Sequence, residues 1–235
     1  MKEWLEELER WGADVIFGRA KGFRAVMTRF LMSALSGLFR LLVQLRLMRY
    51  RKGWKQECYL GTKVVSVGNI TVGGTGKTPV VELLARSLRD RGRKVAILSR
   101  GYKSRKLDQV QKWKDDWGNP VPPERMPKVV STGKALLLDS KFAGDEPFML
   151  AKNLEGVSVV VDKNRVKGGR FAIEHLDADV LVLDDGMQYL DLAHGIDLVL
   201  VDAGSPFGTG ALLPRGTLRE PPRNLCRASY IMLTK

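Results

Sequence analysis

The sequence has few of the residues that build disulfide or zinc frameworks. Its 235 residues include only two cysteines and two histidines, and Cys58 and Cys226 lie far apart without a second ligand at metal-binding spacing. We therefore expect neither a disulfide framework nor a zinc site, as is typical of proteins in a reducing cytoplasm. Several acids precede the first apolar stretch, whereas a secretory signal begins with basic residues, so we expect no export.

Long uncharged hydrophobic runs are also absent near the start of the chain. The longest, residues 30–39, has about half of the ~20 residues that a membrane-spanning helix needs, so we predict that this region cannot span a bilayer. Acids are absent from residues 23–50, where apolar side chains alternate with arginines. This pattern is typical of a helix on an anionic membrane surface, and an amphipathic helix packed on its own domain shows it too.

The charge of the chain is strongly positive. The chain has 39 lysines and arginines and 26 acids, hence a net charge of +13, which predicts an anionic partner such as phosphate, lipid headgroups or nucleic acid. The basic residues cluster around apolar helix, for example at residues 49–55, without the interleaved aromatic side chains of a nucleic-acid platform. We therefore predict an anionic membrane surface as a partner, and no nucleic acid.

Near Gly61 the sequence changes from a basic helical pattern to short β-branched runs that alternate with helical stretches. This change predicts a basic helical segment at residues 1–60 and a core at residues 61–235. Alternating strands and helices in the core predict an α/β fold with a mostly parallel, doubly wound sheet. Residues 103–127 lack periodicity and are interpreted as a long excursion, a hairpin or a lid. The predicted strands are residues 64–67, 95–98, 157–161, 180–183, 196–201 and 230–233, and the predicted helices are residues 78–91, 144–153 and 165–175.

A glycine-rich loop connects the first core strand to the first core helix. Glycines let backbone N–H groups close around phosphate oxygens, while the helix N-terminus and a lysine add positive charge. The order of strand, loop and helix predicts an ATP-binding P-loop, in which a threonine hydroxyl faces Mg²⁺. Position 71 is Thr71, where the general pattern has glycine. The predicted nucleotide-binding residues are Gly73, Gly74, Thr75, Gly76, Lys77 and Thr78, of which Thr78 supplies the hydroxyl.

Two pairs of acids stand at the ends of core elements. Asp184 and Asp185 follow an apolar strand, at the edge where open α/β sheets bind ligands, so Asp184 is predicted to hold Mg²⁺. The alternative is an acidic pair that only ends the strand and caps the turn. Asp145 and Glu146 begin a predicted helix, where acids also occur for structural reasons, because they cap the helix or complement its dipole.

Together these motifs resemble the tetraacyldisaccharide 4'-kinases of lipid A and lipopolysaccharide biosynthesis, whose P-loop also lacks the first glycine. The resemblance implies a P-loop NTPase-type fold and transfer of the γ-phosphate of ATP to the 4'-hydroxyl of a tetraacyldisaccharide 1-phosphate. The motifs occur in the family's order. They are Gly68-Asn69 with Gly-Gly-Thr-Gly-Lys-Thr-Pro at 73–79, Ser99-Arg100-Gly101-Tyr102, Gly144-Asp145-Glu146-Pro147, Asp184-Asp185-Gly186-Met187-Gln188 and residues 212–220.

The resemblance also implies roles for single residues. Asp145 would accept the proton of the sugar hydroxyl, and Lys77 and Asp185 would complete the catalytic set. Arg165, Gln188, Arg219 and Glu220 would bind substrate, while Thr78, Asp184 and Glu146 would hold Mg²⁺. The protein would be peripheral, on the cytoplasmic face of the bacterial inner membrane, with a lipid A disaccharide precursor as its partner.

Two departures from the family stand out. Tyr189 replaces the histidine that often follows the Asp-Asp-Gly-x-Gln motif, and His175 and His194 lie outside the motifs. Family members usually continue through a further C-terminal α/β region, which this chain is expected to lack. A histidine of that region, expected to support the base Asp145, would be missing with it. The alternative function is a membrane-associated P-loop ATPase, or a nucleotide-gated binding module, without sugar-lipid kinase activity.

Overall fold

The computed structural model describes residues 2–102, 104–107, 111–114 and 118–234. Two N-terminal helices precede an α/β unit. The helices are α1 (Lys2–Ile16), α2 (Phe23–Arg51), α3 (Lys77–Asp90), α4 (Ser140–Ala143), α5 (Asp145–Asn153) and α6 (Arg165–Leu176), with a 3₁₀-helix at Pro222–Arg227. The strands are β1 (Lys63–Asn69), β2 (Val95–Ser99), β3 (Lys128–Thr132), β4 (Ser158–Val161), β5 (Val180–Asp184), β6 (Ile196–Asp202) and β7 (Tyr230–Thr234).

The strands of the described residues form one sheet in the order β3-β4-β2-β5-β1-β6-β7. Neighbours are parallel except for β3, which runs antiparallel to β4. The predicted mostly parallel α/β fold is confirmed, and strands are present at all six predicted positions. The sequence does not predict β3, because its apolar part is only Val129 and Val130 after a proline-rich segment.

Helices cover both faces of the sheet. Helices α3 and α5 pack on one face against Val67, Ile97 and Val182, and α6 packs on the other face against Leu98 and Leu181. Strands buried on both faces have continuous apolar sequences, which is why they were predictable. Because β1 and β5 are parallel neighbours, the loops that follow them emerge side by side at one edge of the sheet.

The N-terminal segment is two helices, because a turn at residues 17–22 interrupts the helical pattern that the sequence predicts to residue 55. Arg29 of α2 donates through Nη2 to the Ala20 carbonyl at 2.5 Å and through Nε to the Val15 carbonyl at 3.3 Å. These hydrogen bonds fix α2 to the end of α1. Helix α2 therefore starts from a defined position.

One side of α2 is attached to the core along its length. Ser36 Oγ donates to the Leu212 carbonyl at 2.9 Å and accepts from the backbone N–H of Arg215 at 3.0 Å. The same helix makes two further side-chain contacts with the core, Gln44 with Asn224 and Tyr50 with Asp191. The α2 helix thus lies along the α/β unit.

The remaining surface of α2 carries exposed apolar side chains. An 18-residue window of the helix has a hydropathy of 1.5 and none of it is buried, so by length and composition the helix is able to cross a membrane. By length and composition, the prediction that this region cannot span is therefore wrong. That prediction considered only uninterrupted uncharged residues, whereas a window that contains up to two charged residues can still be apolar enough. The exposed apolar side chains are Phe23, Val26, Met27, Phe30, Leu31, Leu35, Leu38, Leu41, Leu42 and Leu45, named here the apolar stripe.

The excursion at residues 103–127 packs beside β3 in its described part. Lys114 forms an antiparallel bridge with Pro120, and the Val121 N–H donates to the Trp113 carbonyl at 2.8 Å. The Trp113 ring meets the Phe171 ring of α6 edge-on, with centroids 5.3 Å apart. This part has the pairing of a hairpin. The hairpin or lid interpretation of residues 103, 108–110 and 115–117 lies outside the described residues.

Gly68 is the point where β1 passes closest to the loop after β5. A Cβ at Gly68 would lie 2.6 Å from Met187 Cβ and 2.9 Å from Met187 N, closer than carbon atoms pack. We expect Gly68→Ala to lower the free energy of unfolding by about 1–3 kcal/mol, measured by urea denaturation. The control is Gly12→Ala on α1, where a Cβ meets nothing within 4 Å and should stabilise by about 0.5–1 kcal/mol. Equal effects would contradict the close approach.

Candidate active site

The P-loop connects β1 to α3 and leaves backbone donors free for a ligand. Gly73 and Gly76 have φ angles of 120° and 75°, which glycine adopts without strain. Helix α3 begins at Lys77 after Gly76, and no side chain caps it. Its first-turn N–H groups and the positive end of its dipole are therefore available to a phosphate.

Thr71 stands in place of the first glycine because this part of the loop is paired with another segment. It is buried and forms an antiparallel bridge with Leu218, and the Arg219 N–H donates to the Ile70 carbonyl at 2.7 Å. An extended, paired backbone favours a β-branched residue over glycine. The pairing also places Arg219 and Glu220 beside the P-loop.

Asn69 orients two residues of the P-loop. It is fully buried, and its Nδ2 donates to Thr75 Oγ1 at 2.9 Å, while Lys77 Nζ donates to Asn69 Oδ1 at 3.2 Å. The lysine is therefore held over the loop before any ligand binds. The sequence shows Asn69 only as part of a motif, since its role depends on contacts across a turn of six residues.

Asp184 is a buried carboxylate that accepts a hydrogen bond from the Ser99 hydroxyl at 3.2 Å. Burial raises the pKa of Asp184 to about 6, and the negative charges of Glu146 and Asp185 act in the same direction. Lys77 and the Ser99 hydroxyl oppose that rise. A bound cation would stabilise the charged form of this buried carboxylate. The role of Ser99 was not predicted.

Asp185 lies between two cations. Arg219 Nη1 donates to both of its oxygens, at 2.8 and 2.7 Å, and Lys77 Nζ lies 3.7 Å from Asp185 Oδ1. Asp185 has a φ angle of 58°, a left-handed conformation that a non-glycine residue adopts at some energetic cost. The backbone thus turns sharply after β5, so that consecutive carboxylates have different surroundings.

Glu220 is 3% exposed and holds the side chain of Gln188 in place. Its carboxylate accepts from Arg227 Nη2 at 2.8 and 2.7 Å and from Asn224 Nδ2 at 2.8 Å. Gln188 Nε2 donates to Glu220 Oε1 at 3.2 Å and to the Asn69 carbonyl at 3.0 Å. Glu220 therefore acts on the site through Gln188. Asn224 and Arg227 lie outside every motif and were not predicted.

Arg165 is buried at the start of α6 and stacks on Tyr189. Its guanidinium carbon lies 4.7 Å from the centre of the Tyr189 ring, and the Tyr189 hydroxyl accepts from the Arg165 backbone N–H at 3.0 Å. Burial lowers the pKa of Arg165, whereas the carboxylates of Asp185 and Asp184 raise it. Tyr189, which departs from the family pattern, thus supports an arginine whose pKa is affected by the charges of both aspartates.

Asp145 and Glu146 occupy the first turn of α5 and are exposed. Gly144, with a φ angle of 92°, occupies the N-cap position, so the capping interpretation of Asp145 does not hold. Asp145 lines a cavity of about 210 Å³ together with Arg105 and Lys141. An exposed carboxylate at a cavity wall is accessible to a bound hydroxyl group.

The donors available to a metal are oxygens. Thr78 lies in the first turn of α3, Asp184 ends β5, and Glu146 is close enough to raise the pKa of Asp184. Over the described ranges, no group of three or more histidine, cysteine, aspartate or glutamate residues could hold a metal alone. Mg²⁺ suits this donor set, because it binds few carboxylates and completes its shell with water and phosphate oxygens.

Eight of the predicted residues thus form two groups. Direct hydrogen bonds or ion pairs connect the residues of one group. In the other group the connection is electrostatic, since Glu146 acts to raise the pKa of Asp184, and Asp184 and Asp185 act to raise the pKa of Arg165. The first group consists of Lys77, Asp185, Gln188, Arg219 and Glu220.

The chain is similar in sequence to known proteins. Residues 28–235 match the family model described as tetraacyldisaccharide-1-P 4'-kinase. A tetraacyldisaccharide 4'-kinase of Geobacter sulfurreducens is 40% identical over 200 residues, covering 85% of this chain and 52% of that protein. One from Halothermothrix orenii is 36% identical over 230 residues, covering 98% and 56%. The chain spans about half the length of these relatives.

A solved structure is similar too. The crystal structure of LpxK from Aquifex aeolicus in complex with ATP has a TM-score of 0.74 and 36% sequence identity, over 88% of this chain and 59% of that one. The fold, the order of the motifs and the family match agree. The chain therefore belongs to the tetraacyldisaccharide-1-P 4'-kinase family.

Proposed function

We propose that this protein transfers the γ-phosphate of ATP to the 4'-hydroxyl of a tetraacyldisaccharide 1-phosphate in lipid A biosynthesis. The observation that carries the proposal is the position of Lys77, held by Asn69 beside Asp185 and Arg219, at the sheet edge where the P-loop and the Asp184-Asp185 pair meet. Such a site brings cations and carboxylates to one phosphate-binding loop. It therefore suits phosphoryl transfer.

In the proposed mechanism, P-loop N–H groups and Lys77 hold the ATP phosphates. Asp145 accepts the proton of the sugar hydroxyl as that oxygen attacks phosphorus and the bond from phosphorus to the leaving ADP oxygen breaks. Arg219 neutralises Asp185, so that this carboxylate does not cancel the positive charge of the neighbouring Lys77. This preorganised positive field stabilises the charge that develops on the transferred group.

Thr78, Asp184 and Glu146 would hold Mg²⁺, which neutralises phosphate charge when it is bound. The substrate-binding side of the site would be formed by Arg165 and Gln188 in addition to Arg219. Glu220 contributes by fixing Gln188, and Tyr189 by supporting Arg165. These assignments are expected from the residues' positions around the two aspartates.

We also propose that residues 1–60 form a membrane-associating segment and residues 61–235 the kinase core. The apolar stripe of α2 is exposed, and the bond of Ser36 to the core keeps this helix against the core, so a surface position fits better than a crossing. The basic residues near the end of α2 would contact anionic lipid. The protein would then act at the cytoplasmic face of the inner membrane.

This position on the membrane is testable with one charge. Leu38→Glu places a carboxylate in the apolar stripe, where the leucine is 54% exposed. We expect at least a tenfold loss of affinity for anionic vesicles, about the loss of one buried leucine, with ATP affinity unchanged. The control Leu83→Glu changes a leucine on α3 that is 63% exposed, and this variant should bind vesicles normally. Equal binding by the two variants would contradict the membrane role of α2.

The proposed function is tested by the dependence of ADP formation on the acceptor. We expect ADP release from Mg²⁺ and ATP to rise at least tenfold when tetraacyldisaccharide 1-phosphate in detergent micelles is added, with one phosphorylated lipid formed per ADP. ADP release that ignores the lipid would instead identify a P-loop ATPase or nucleotide-gated module. The comparison with lipid-free micelles excludes an effect of detergent.

A further inference from the structure

A second cavity lies between the end of α2 and the loop that follows β5. Its volume is about 280 Å³, near the lower end of the range of about 300–1,000 Å³ that small-molecule sites occupy. None of the described residues that line it belongs to the P-loop, and Asp184 and Asp185 are not among them. The cavity is therefore separate from the phosphate site, and its size suits a headgroup better than a whole lipid.

Much of the wall of this cavity is apolar. Leu47 of α2 is buried on one side, and Met187, Leu192 and Val199 are buried on the side of the core. Leu190 completes this apolar part of the lining. A wall of this kind takes hydrocarbon out of water, so it suits the first methylene groups of an acyl chain.

Two charged side chains at the cavity have no partner among the described residues. Arg51 ends α2 and Glu57 lies in the segment that follows it; both are exposed, and neither forms a hydrogen bond or ion pair within that part of the protein. The remaining polar lining residues outside this pair have partners, namely Tyr50 with Asp191, His194 with Asp197 and Arg227 with Glu220. Arg51 and Glu57 are therefore the groups available to a ligand.

An available arginine and an available glutamate at one cavity suit a zwitterion. A guanidinium group binds phosphate through paired, charge-assisted hydrogen bonds. A carboxylate attracts an ammonium group and repels a ligand that carries only negative charge. The ligand chemistry that fits both side chains is a phosphate joined to an ammonium group, with an apolar portion for the remaining wall.

The segment that carries Glu57 also carries exposed aromatic side chains. Trp54 and Tyr59 lie on either side of it in the sequence, and Lys52 Nζ lies 5.3 Å from the centre of the Trp54 ring. Tryptophan and tyrosine beside basic residues are typical of the headgroup depth of a membrane. Since this segment follows the helix that carries the apolar stripe, the cavity is expected at that depth.

We propose that Arg51 and Glu57 bind the headgroup of a membrane lipid of the phosphatidylethanolamine type in this cavity. The phosphate contacts Arg51, the ammonium group contacts Glu57, and the start of an acyl chain packs against the apolar wall. The lipid is a bound neighbour of the protein and not a substrate, because the cavity is separate from the phosphate site. The inference goes beyond phosphate transfer and rests only on the proposed position of α2 at the membrane.

The test is calorimetric titration of the whole chain with monomeric dihexanoylphosphatidylethanolamine. We expect Arg51→Gln and Glu57→Gln each to weaken binding about tenfold, since each removes one charge-assisted contact. The matched controls Arg49→Gln and Glu174→Gln change exposed charged residues outside the cavity and should bind within about twofold of the parent. No binding by the folded parent protein, or equal losses in cavity and control variants, would overturn the proposal.

Two further ligands test the chemistry of the headgroup. The same lipid with its amine acetylated has no ammonium charge, so it should bind the parent about tenfold more weakly and should lose nothing further in Glu57→Gln. Free phosphoethanolamine cannot bury methylene groups and should also bind at least tenfold more weakly. Equal affinity for the acetylated lipid would exclude the contact with Glu57, and equal affinity for free phosphoethanolamine would assign the cavity to a soluble ligand; either result would overturn the proposal. Because the lipid is monomeric and ATP is absent, these results do not depend on vesicle binding or on phosphate transfer.

Discussion

Replacing Asp184 by asparagine is expected to abolish phosphate transfer and, at the same time, to stabilise the fold. The carboxylate is buried with the Ser99 hydroxyl as its donor, and burial together with nearby negative charge raises its pKa to about 6. Asparagine keeps an acceptor for Ser99 but removes the buried charge. Catalysis would lose the carboxylate that we propose to bind Mg²⁺, whereas the fold loses an unfavourable ionisation.

The sign of the stability effect follows from linkage. The folded pKa of about 6 lies above the ordinary value of 3.8, so the unfolded chain releases this proton first as pH rises. The contribution of Asp184 to stability therefore falls between about pH 4 and pH 6 and stays low above pH 6. At pH 7.5 without Mg²⁺, Asp184→Asn should raise the free energy of unfolding by roughly 1–3 kcal/mol.

Urea denaturation of the two proteins at pH 7.5 and at pH 4 measures this effect. The difference between them should shrink at the lower pH, where the buried carboxyl of the parent protein is protonated. Asp90→Asn serves as the control, because Asp90 is an exposed partner of Arg89 and should change stability by no more than about 0.5 kcal/mol. A destabilised Asp184→Asn protein at pH 7.5 would contradict the raised pKa.

Substitution of Asp145 and Lys77 should separate proton transfer from nucleotide binding. Asp145 is exposed at a cavity wall, and the residues that contact Lys77 are Asn69 and Asp185, so Asp145→Ala should lower kcat about 10²- to 10⁴-fold and leave ATP affinity within about twofold. Lys77 is fixed by Asn69 next to Asp185 in the phosphate loop. Lys77→Ala should therefore weaken nucleotide binding as well as transfer.

Fluorescent-nucleotide titration gives the affinities and single-turnover kinetics the transfer rates. Asp145→Asn provides the matched control, since it preserves shape but cannot accept the proton, and it should be as slow as Asp145→Ala. Loss of ATP binding in either Asp145 variant would show that this residue serves the nucleotide. Full activity of Asp145→Asn would remove it from the role of base.

Local signals explain why much of this site was predictable. The P-loop is a contiguous pattern between a strand and a helix, and Asp184 and Asp185 follow a continuous apolar run, so sequence order alone indicates their place. Sequence order alone did not explain why Thr71 stands where the general P-loop pattern has glycine. The structure explains it through the bridge to Leu218, a contact across more than a hundred residues that no local pattern contains.

Tertiary contacts account for what the sequence did not indicate. Ser99, Asn224 and Arg227 act through hydrogen bonds to Asp184 and Glu220, and none of them stands in a pattern that specifies this role. Strand β3 contains too few apolar residues for its sequence to be distinguished from that of a loop. The prediction that α2 is too short to span a membrane was wrong by length and composition alone, because arginines interrupt the uncharged runs although a window with up to two charges is still apolar enough.

The proposed lipid kinase activity is tested most directly by phosphate transfer itself. The measurement is the incorporation of radiolabel from [γ-³²P]ATP into tetraacyldisaccharide 1-phosphate in detergent micelles by the parent protein, Lys77→Ala and Asp145→Ala. We expect a labelled lipid, phosphorylated at the 4' position, from the parent protein and at least a hundredfold less from either variant. No labelled lipid from a folded parent protein that binds ATP would contradict it.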